Sequence, residues 1–141
     1  MEEIKIEIKD ELDIFIVQNA GKKFSREIGF SKRESETIAI VVSELSTNII
    51  KYAKKGEISF CPLQKGGIEI VAQDQGPGIK NINLALQDGC SDEKSIIFDT
   101  KHHGLGSGLP AVKRLTDEME IETKKGKGTT IRVRKWKSKY R

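Results

Sequence analysis

Between Ser31 and Ala53 the apolar residues Ile38, Val41, Val42, Leu45 and Ile49 recur at helical spacing along one stripe. A helix that is apolar on one side only draws its stability from another layer covering that side. This segment therefore demands a sheet or a further helix to rest on. Its start is marked by Ser31 and Glu34 in the S-x-x-E relation of a capping box, and Lys54-Lys55-Gly56 stops it. A preceding helix is expected from about Asp13, with Ile14, Val17, Ala20, Phe24 and Ile28 on its apolar side and Gly29 suited to end it.

The remaining chain reads mostly as strands. Ile4, Ile6 and Ile8 alternate with Lys5, Glu7 and Lys9, the pattern of a strand with one buried face. Glu57 to Leu63 and Ile68 to Asp74 form two further runs joined by Gln64-Lys65-Gly66-Gly67, and strands near Glu120 to Lys124 and Thr129 to Lys135 flank Gly126-Lys127-Gly128. A short helix is expected from Leu109 to about Asp117. Strands grouped apart from helices predict an α+β fold, a two-layer sandwich with a mostly antiparallel, mixed sheet and helices on one face. The 141 residues suit one domain, and no repeat, linker or low-complexity segment divides them.

Composition excludes several classes. Lys+Arg 25 against Asp+Glu 21 leaves +4, and much of the excess lies in the last ten residues, so the body of the chain is nearly balanced. The basic residues around Trp136 and Tyr140 offer a rationale for nucleic-acid contact, but a frayed, solvated tail over about 136–141 is the expectation. Cys61 and Cys90 make neither a disulfide framework nor a zinc spacing. A reducing, cytoplasmic setting fits, because the acidic, alternating start is no signal peptide and no run approaches the ~20 apolar residues of a membrane span.

Three groups of residues carry chemistry. Glu44 and Asn48 lie four apart on the long helix, about 40° apart around its axis, with Lys51 a turn further on. Alone, such an edge reads as a solvated helix face and gains meaning only in company. Asp74-Gln75-Gly76-Pro77-Gly78 stands where a strand runs into a loop, where a carboxylate can accept from the exocyclic amine of a base and glycines let a ligand approach bare backbone. A lone D-x-G-x-G is equally a tight turn. Gly104-Leu105-Gly106-Ser107-Gly108-Leu109 opens a helix, and its backbone N–H groups suit phosphate oxygens. Its G-x-G-x-G spacing matches neither the dinucleotide fingerprint nor a Walker loop.

In this order the three groups, with Gly128-Thr129 as a closing element, resemble the GHKL superfamily of ATPases and kinases, which shares the Bergerat ATP-binding fold. The likeness covers nearly the whole chain. Glu44 to Ile49, the Asp74 group and the run from Gly104 to Glu118 look most like the small serine/threonine switch kinases and anti-sigma-factor kinases of bacterial partner-switching, stressosome-type pathways. The resemblance implies ATP and Mg²⁺ as cofactors. It implies that Asp74 accepts the adenine amino group with support from Thr129, that Gly76 and Gly78 shape that loop, and that Asn48 holds Mg²⁺. Gly104, Leu105, Gly106, Ser107, Gly108 and Leu109 would wrap the triphosphate, Lys51 would neutralise charge, and Glu44 would act as the catalytic base. A lid is expected over about 87–103, longer than in the nearest likeness. His102 and His103 fall in it as polar residues.

A chain of 141 residues leaves no room for the phosphoacceptor hairpin of sensor histidine kinases or the further domains of gyrase-like and chaperone relatives. The implied activity is protein serine/threonine phosphorylation of a small STAS-type antagonist protein. The alternative is a nucleotide-gated binding module that sequesters or activates a partner, either a sigma factor or a PP2C-type phosphatase. The presence of both Glu44 and Asn48 favours the enzyme, since a pure binder could dispense with a base.

Overall fold

Residues 2–77 and 108–138 are described by a computed structural model. Gly78, the expected lid with His102 and His103, Cys90, the stretch Gly104 to Ser107, and residues 139–141 lie outside the described residues. The elements run β1 (Ile4–Ile8), α1 (Glu11–Ile28), α2 (Lys32–Tyr52), β2 (Gly56–Leu63) and β3 (Gly67–Asp74), then α3 (Leu109–Leu115), β4 (Glu118–Lys124) and β5 (Gly128–Trp136). The strands form one sheet in the order β1-β2-β3-β5-β4. All four ladders are antiparallel, so among the described residues the expected mixed sheet narrows to an antiparallel one.

Strand alternation places the core. Ile58 and Phe60 of β2, Ile68, Ile70 and Ala72 of β3, and Ile131 and Val133 of β5 share one face and are buried together with Val41, Val42, Leu45 and Ile49 of α2. Val17 and Phe24 bring α1 onto the same core, where Phe24 meets Phe60 at 5.8 Å between ring centroids. Gly21 lets the two helices and the sheet close up, since a Cβ there would lie 3.2 Å from Phe60 and 3.3 Å from Val42. The opposite face is polar. Arg134 spreads across Glu69 at 2.8 Å, Glu118 at 3.1 Å and Glu120 at 3.4 Å, tying β3, β5 and β4 in register.

Helix ends follow local chemistry. α1 begins earlier than expected because Asp10 accepts from the N–H groups of Leu12 and Asp13 at 2.9 and 3.3 Å, while Asp13 accepts from Asp10 N–H at 3.2 Å. Two aspartates thus make the capping box where a Ser/Glu pair is the familiar signature. The Ser31–Glu34 box forms as expected, with both bonds at 3.0 Å. α3 ends at Leu115, short of the expected Asp117. Asp117 already belongs to the sheet edge, where its N–H donates to the Arg134 carbonyl at 2.9 Å.

The tail departs from its expectation as far as it is described. Trp136 is the last residue of β5, its N–H donating to Asp117 Oδ2 at 2.8 Å and its indole to the Gln64 carbonyl at 3.0 Å. Lys137 N–H donates to the Gly66 carbonyl at 3.0 Å and Ser138 N–H to Glu34 Oε2 at 3.1 Å. These anchors outweigh the fraying expected from charge and position, because each satisfies a backbone donor against a fixed acceptor. Glu34 therefore serves the α2 cap and the chain end at once. Glu34→Ala should destabilise the fold by about 1–3 kcal/mol. That loss should exceed that of Asp13→Ala, whose two bonds, from the N–H groups of Lys9 and Asp10, both lie at the start of α1. Urea unfolding of the two variants checks the order, and an equal loss would remove the special role of the Ser138 contact.

Candidate functional site

The helix-facing row of β3 does not stop at its last apolar residue. Ile68, Ile70 and Ala72 are followed on the same side by Asp74, so a carboxylate continues the core stripe at the point where the sheet runs out. Asp74 Oδ1 accepts from Gly76 N–H at 2.9 Å, which turns the chain out of the strand. The backbone N–H of Thr129, its register partner on β5, also favours the charged form of this carboxylate.

Two glycines make this close approach possible. Gly128 has φ +108, and a Cβ there would overlap the Asp74 carbonyl oxygen and lie 2.7 Å from Gln75 Cα. A Cβ at Gly76 would lie 2.6 Å from the Ala53 Cβ, so the loop after Asp74 is pressed onto the C-terminal end of α2. The β4–β5 turn holds the loop from the other side, Gly126 N–H donating to the Pro77 carbonyl at 2.8 Å.

A second contact reaches α2 two and a half turns earlier. Gly108, the last glycine of the G-x-G-x-G stretch, donates its N–H to Glu44 Oε1 at 3.1 Å. From Glu44 to Ala53 the helix rises about 14 Å. Both glycine-bearing segments thus dock on one helix, with Asn48 and Lys51 on the stretch between them. Asn48 is half-buried, and Lys51 Nζ lies 5.2 Å from the centroid of the Tyr52 ring. Leu109 is only 2% exposed and packs in the core with Val112. What it can offer a ligand is confined to backbone.

Electrostatics sets the two carboxylates apart from those on the surface. Burial pushes the Glu44 carboxyl above its ordinary range, opposed by the Gly108 hydrogen bond. Burial likewise raises Asp74, opposed by the N–H groups of Gly76 and Thr129. Neither carboxylate has an ion pair among the described residues. Both are acceptors held by N–H donors in a partly dry setting, suited to receive a proton or a neutral donor. No cluster of three or more His, Cys, Asp or Glu residues that could hold a metal occurs among the described residues, so a cation here would need ligand oxygens besides Asn48.

Sequence reasoning missed Ala53, whose small side chain at the end of α2 receives the Gly76 loop, and Gly56, which faces Asp74 across the β2–β3 ladder. It also missed Thr123, which stands beside Thr129. None has a motif. Only the register of β4 on β5 brings Thr123 to the site.

Residues 16–135 match the family described as the histidine kinase-like ATPase domain. The chain is similar to the serine/threonine-protein kinase RsbT of Bacillus subtilis, at 39% identity over 134 residues, covering 93% of this chain and 94% of that one. It is 27% identical to an anti-sigma F factor of Caldanaerobacter subterraneus, covering 96% of this chain and 93% of the relative. Among solved structures, the RsbU and RsbW domains of a Mycobacterium tuberculosis protein align with TM-score 0.65 at 15% identity, covering 96% of this chain and 32% of that one. The SiaB-SiaC complex of Pseudomonas aeruginosa aligns with TM-score 0.64 at 13% identity, covering 95% and 88%. These two likenesses establish the fold.

The raised carboxyl of Glu44 fixes the sign of a stability effect. Such a group stabilises the fold while protonated, a contribution present below its unfolded value near 4.5 and lost as pH rises through the higher folded value. At neutral pH the buried charge is therefore a cost. Glu44→Gln keeps an oxygen for Gly108 N–H and should raise Tm at neutral pH, the advantage shrinking as the pH falls toward 4.5. Thermal unfolding across that range is the check; a Gln variant that is less stable at neutral pH would contradict the burial argument.

Proposed function

The chain belongs to the histidine kinase-like ATPase domain family, and from that premise we propose that it is an ATP-dependent protein serine/threonine kinase acting on a small STAS-type antagonist protein in a partner-switching pathway. The kinase activity follows the 39% identical relative, which is itself a serine/threonine-protein kinase aligned over nearly its full length. Further relatives named as anti-sigma F factors and as the serine-protein kinase RsbW support a regulatory setting. A PP2C-type phosphatase or a sigma factor is a further partner in this reading. No helix among the described residues is long and apolar enough to cross a membrane, which accords with work in the cytoplasm.

One observation carries the assignment of residues. A single helix, α2, receives the Asp74 loop at Ala53 and the Gly108 backbone at Glu44, so a base-binding end and a reacting end are set along one rigid element. At the first end, Asp74 and Thr129 receive the adenine amino group, and the acceptor carboxylate disfavours guanine, whose carbonyl would meet it with no proton between them. At the second, Gly108 and the glycines before it, Gly104 and Gly106, take the phosphates with Lys51. Asn48 is the residue suited to hold Mg²⁺ through its amide oxygen, and the ion supplies charge neutralisation on the phosphates when bound.

Glu44 then receives the proton of the substrate hydroxyl as that oxygen bonds to the γ-phosphorus and the bond to ADP breaks. Partial burial strips the carboxylate of water and raises its affinity for that proton. Most of the rate comes from alignment and from charge stabilisation around the transferred group rather than from the base.

Pure protein incubated with labelled ATP, Mg²⁺ and STAS proteins encoded nearby should transfer label to serine or threonine. Failure with every such substrate, alongside intact ATP binding, would favour the nucleotide-gated binding module instead. Asp74→Asn should cost on the order of 1.5–3 kcal/mol of ATP binding, roughly 10- to 150-fold, while leaving the fold intact. Equal affinity by calorimetry would remove Asp74 from the base pocket. Glu44→Ala should retain ATP yet lose transfer, whereas Asn48→Ala should lose the Mg²⁺-dependent part of binding. Native-rate transfer by Glu44→Ala would move the base role elsewhere.

A further inference from the structure

We infer that Thr123 is a positioning residue of the nucleotide site, fixing the Thr129 hydroxyl as a hydrogen-bond acceptor and so helping the pocket select a purine that presents an amino group. The inference rests on the assignment of Asp74 and Thr129 to base recognition. The register places the three residues in one row across three strands. Asp74 of β3 is paired with Thr129 of β5, and Thr129 with Thr123 of β4. Directly paired residues project to the same side, here the side that carries the helices and the core.

The hydrogen bonds favour one placement of the protons. Thr123 and Thr129 bring their hydroxyl oxygens to 3.0 Å. Thr123 Oγ1 also lies 3.4 Å from the Gly128 carbonyl, to which it donates. A carbonyl oxygen can only accept, so the single Thr123 proton is directed to it. In this arrangement Thr129 supplies the proton between the two hydroxyls, which leaves its own lone pairs for a ligand. Its backbone N–H acts on the Asp74 carboxylate from the same side. Thr129 is buried at 5% exposure, so its hydroxyl has little water with which to exchange this arrangement. Asp74 and Thr129 together thus present acceptors only, matched to an amino group and mismatched to a carbonyl.

Removing the Thr123 hydroxyl should undo that polarity. In Thr123→Val the side-chain shape and strand preference are kept, but Thr129 loses the acceptor for its proton and becomes able to donate toward a purine carbonyl. Thr123→Ser restores the acceptor. The experiment measures dissociation constants of ATP and GTP, each with Mg²⁺, for the full chain and both variants, with thermal unfolding run alongside. The expected result is an ATP-over-GTP preference that falls roughly 2- to 10-fold in Thr123→Val and stays near that of the unchanged chain in Thr123→Ser. An unchanged ratio in Thr123→Val, or equal weakening of both nucleotides, would overturn the role of Thr123 while leaving the kinase assignment standing. Equal loss of preference in both variants would do the same, since a packing defect would then explain it. Absence of ATP binding by the unchanged chain would overturn both.

Discussion

Burial of one side of α2 against the sheet is the constraint on which the molecule depends. Ile38, Val41, Val42 and Leu45 are 0% exposed and Ile49 1%, so the stripe is removed from water along most of the helix. Each such side chain contributes about 1.5–3 kcal/mol relative to exposure, far more than any surface ion pair in the structure. Because the stripe is fixed, the neighbouring edge of the same helix is fixed too. Glu44, Asn48 and Lys51 owe their common direction to the residues beside them that cannot move.

The ends of the core are where chemistry enters. The β3 row passes from Ile70 and Ala72 to Asp74 without changing face, and the β5 row passes from Val133 and Ile131 to Thr129. A polar residue in such a place loses solvent and must find protein donors. Asp74 finds one in Gly76, and Glu44 finds one in Gly108. The result is a pair of carboxylates whose burial opposes their charge. That is unfavourable for stability and useful for recognising an amino group or accepting a proton, the usual tension between a site and the fold that holds it.

The polar face of the sheet shows a different solution. Arg134 lies among Glu69, Glu118 and Glu120, open enough to water that its pairs serve register more than energy. The chain end adds another fixed point, since Lys137 and Ser138 satisfy their N–H groups on Gly66 and Glu34. Charge alone gave no sign of this, because the acceptors lie more than seventy and a hundred positions away in the chain.

Periodicity and local punctuation were enough to establish the element order. Apolar spacing located both long helices and the five strands among the described residues, Ser31 with Glu34 marked one helix start, and Gly29 ended the other, since such signals act within a few residues. The residue groups at Glu44, Asp74 and Gly104 to Gly108 were legible as motifs, and the family they pointed to is the one the chain matches. Where α1 begins was less legible, because an Asp–Asp capping box lacks the usual residue pair. The side on which Asp74 lies, the core task of Leu109, the reception of Gly76 by Ala53 and the Thr123–Thr129 pair came only from the tertiary structure. A sequence records which residues follow one another, whereas strand register and close approach are set by packing between segments distant in the chain. Those long-range contacts decide which polar groups share a dry pocket.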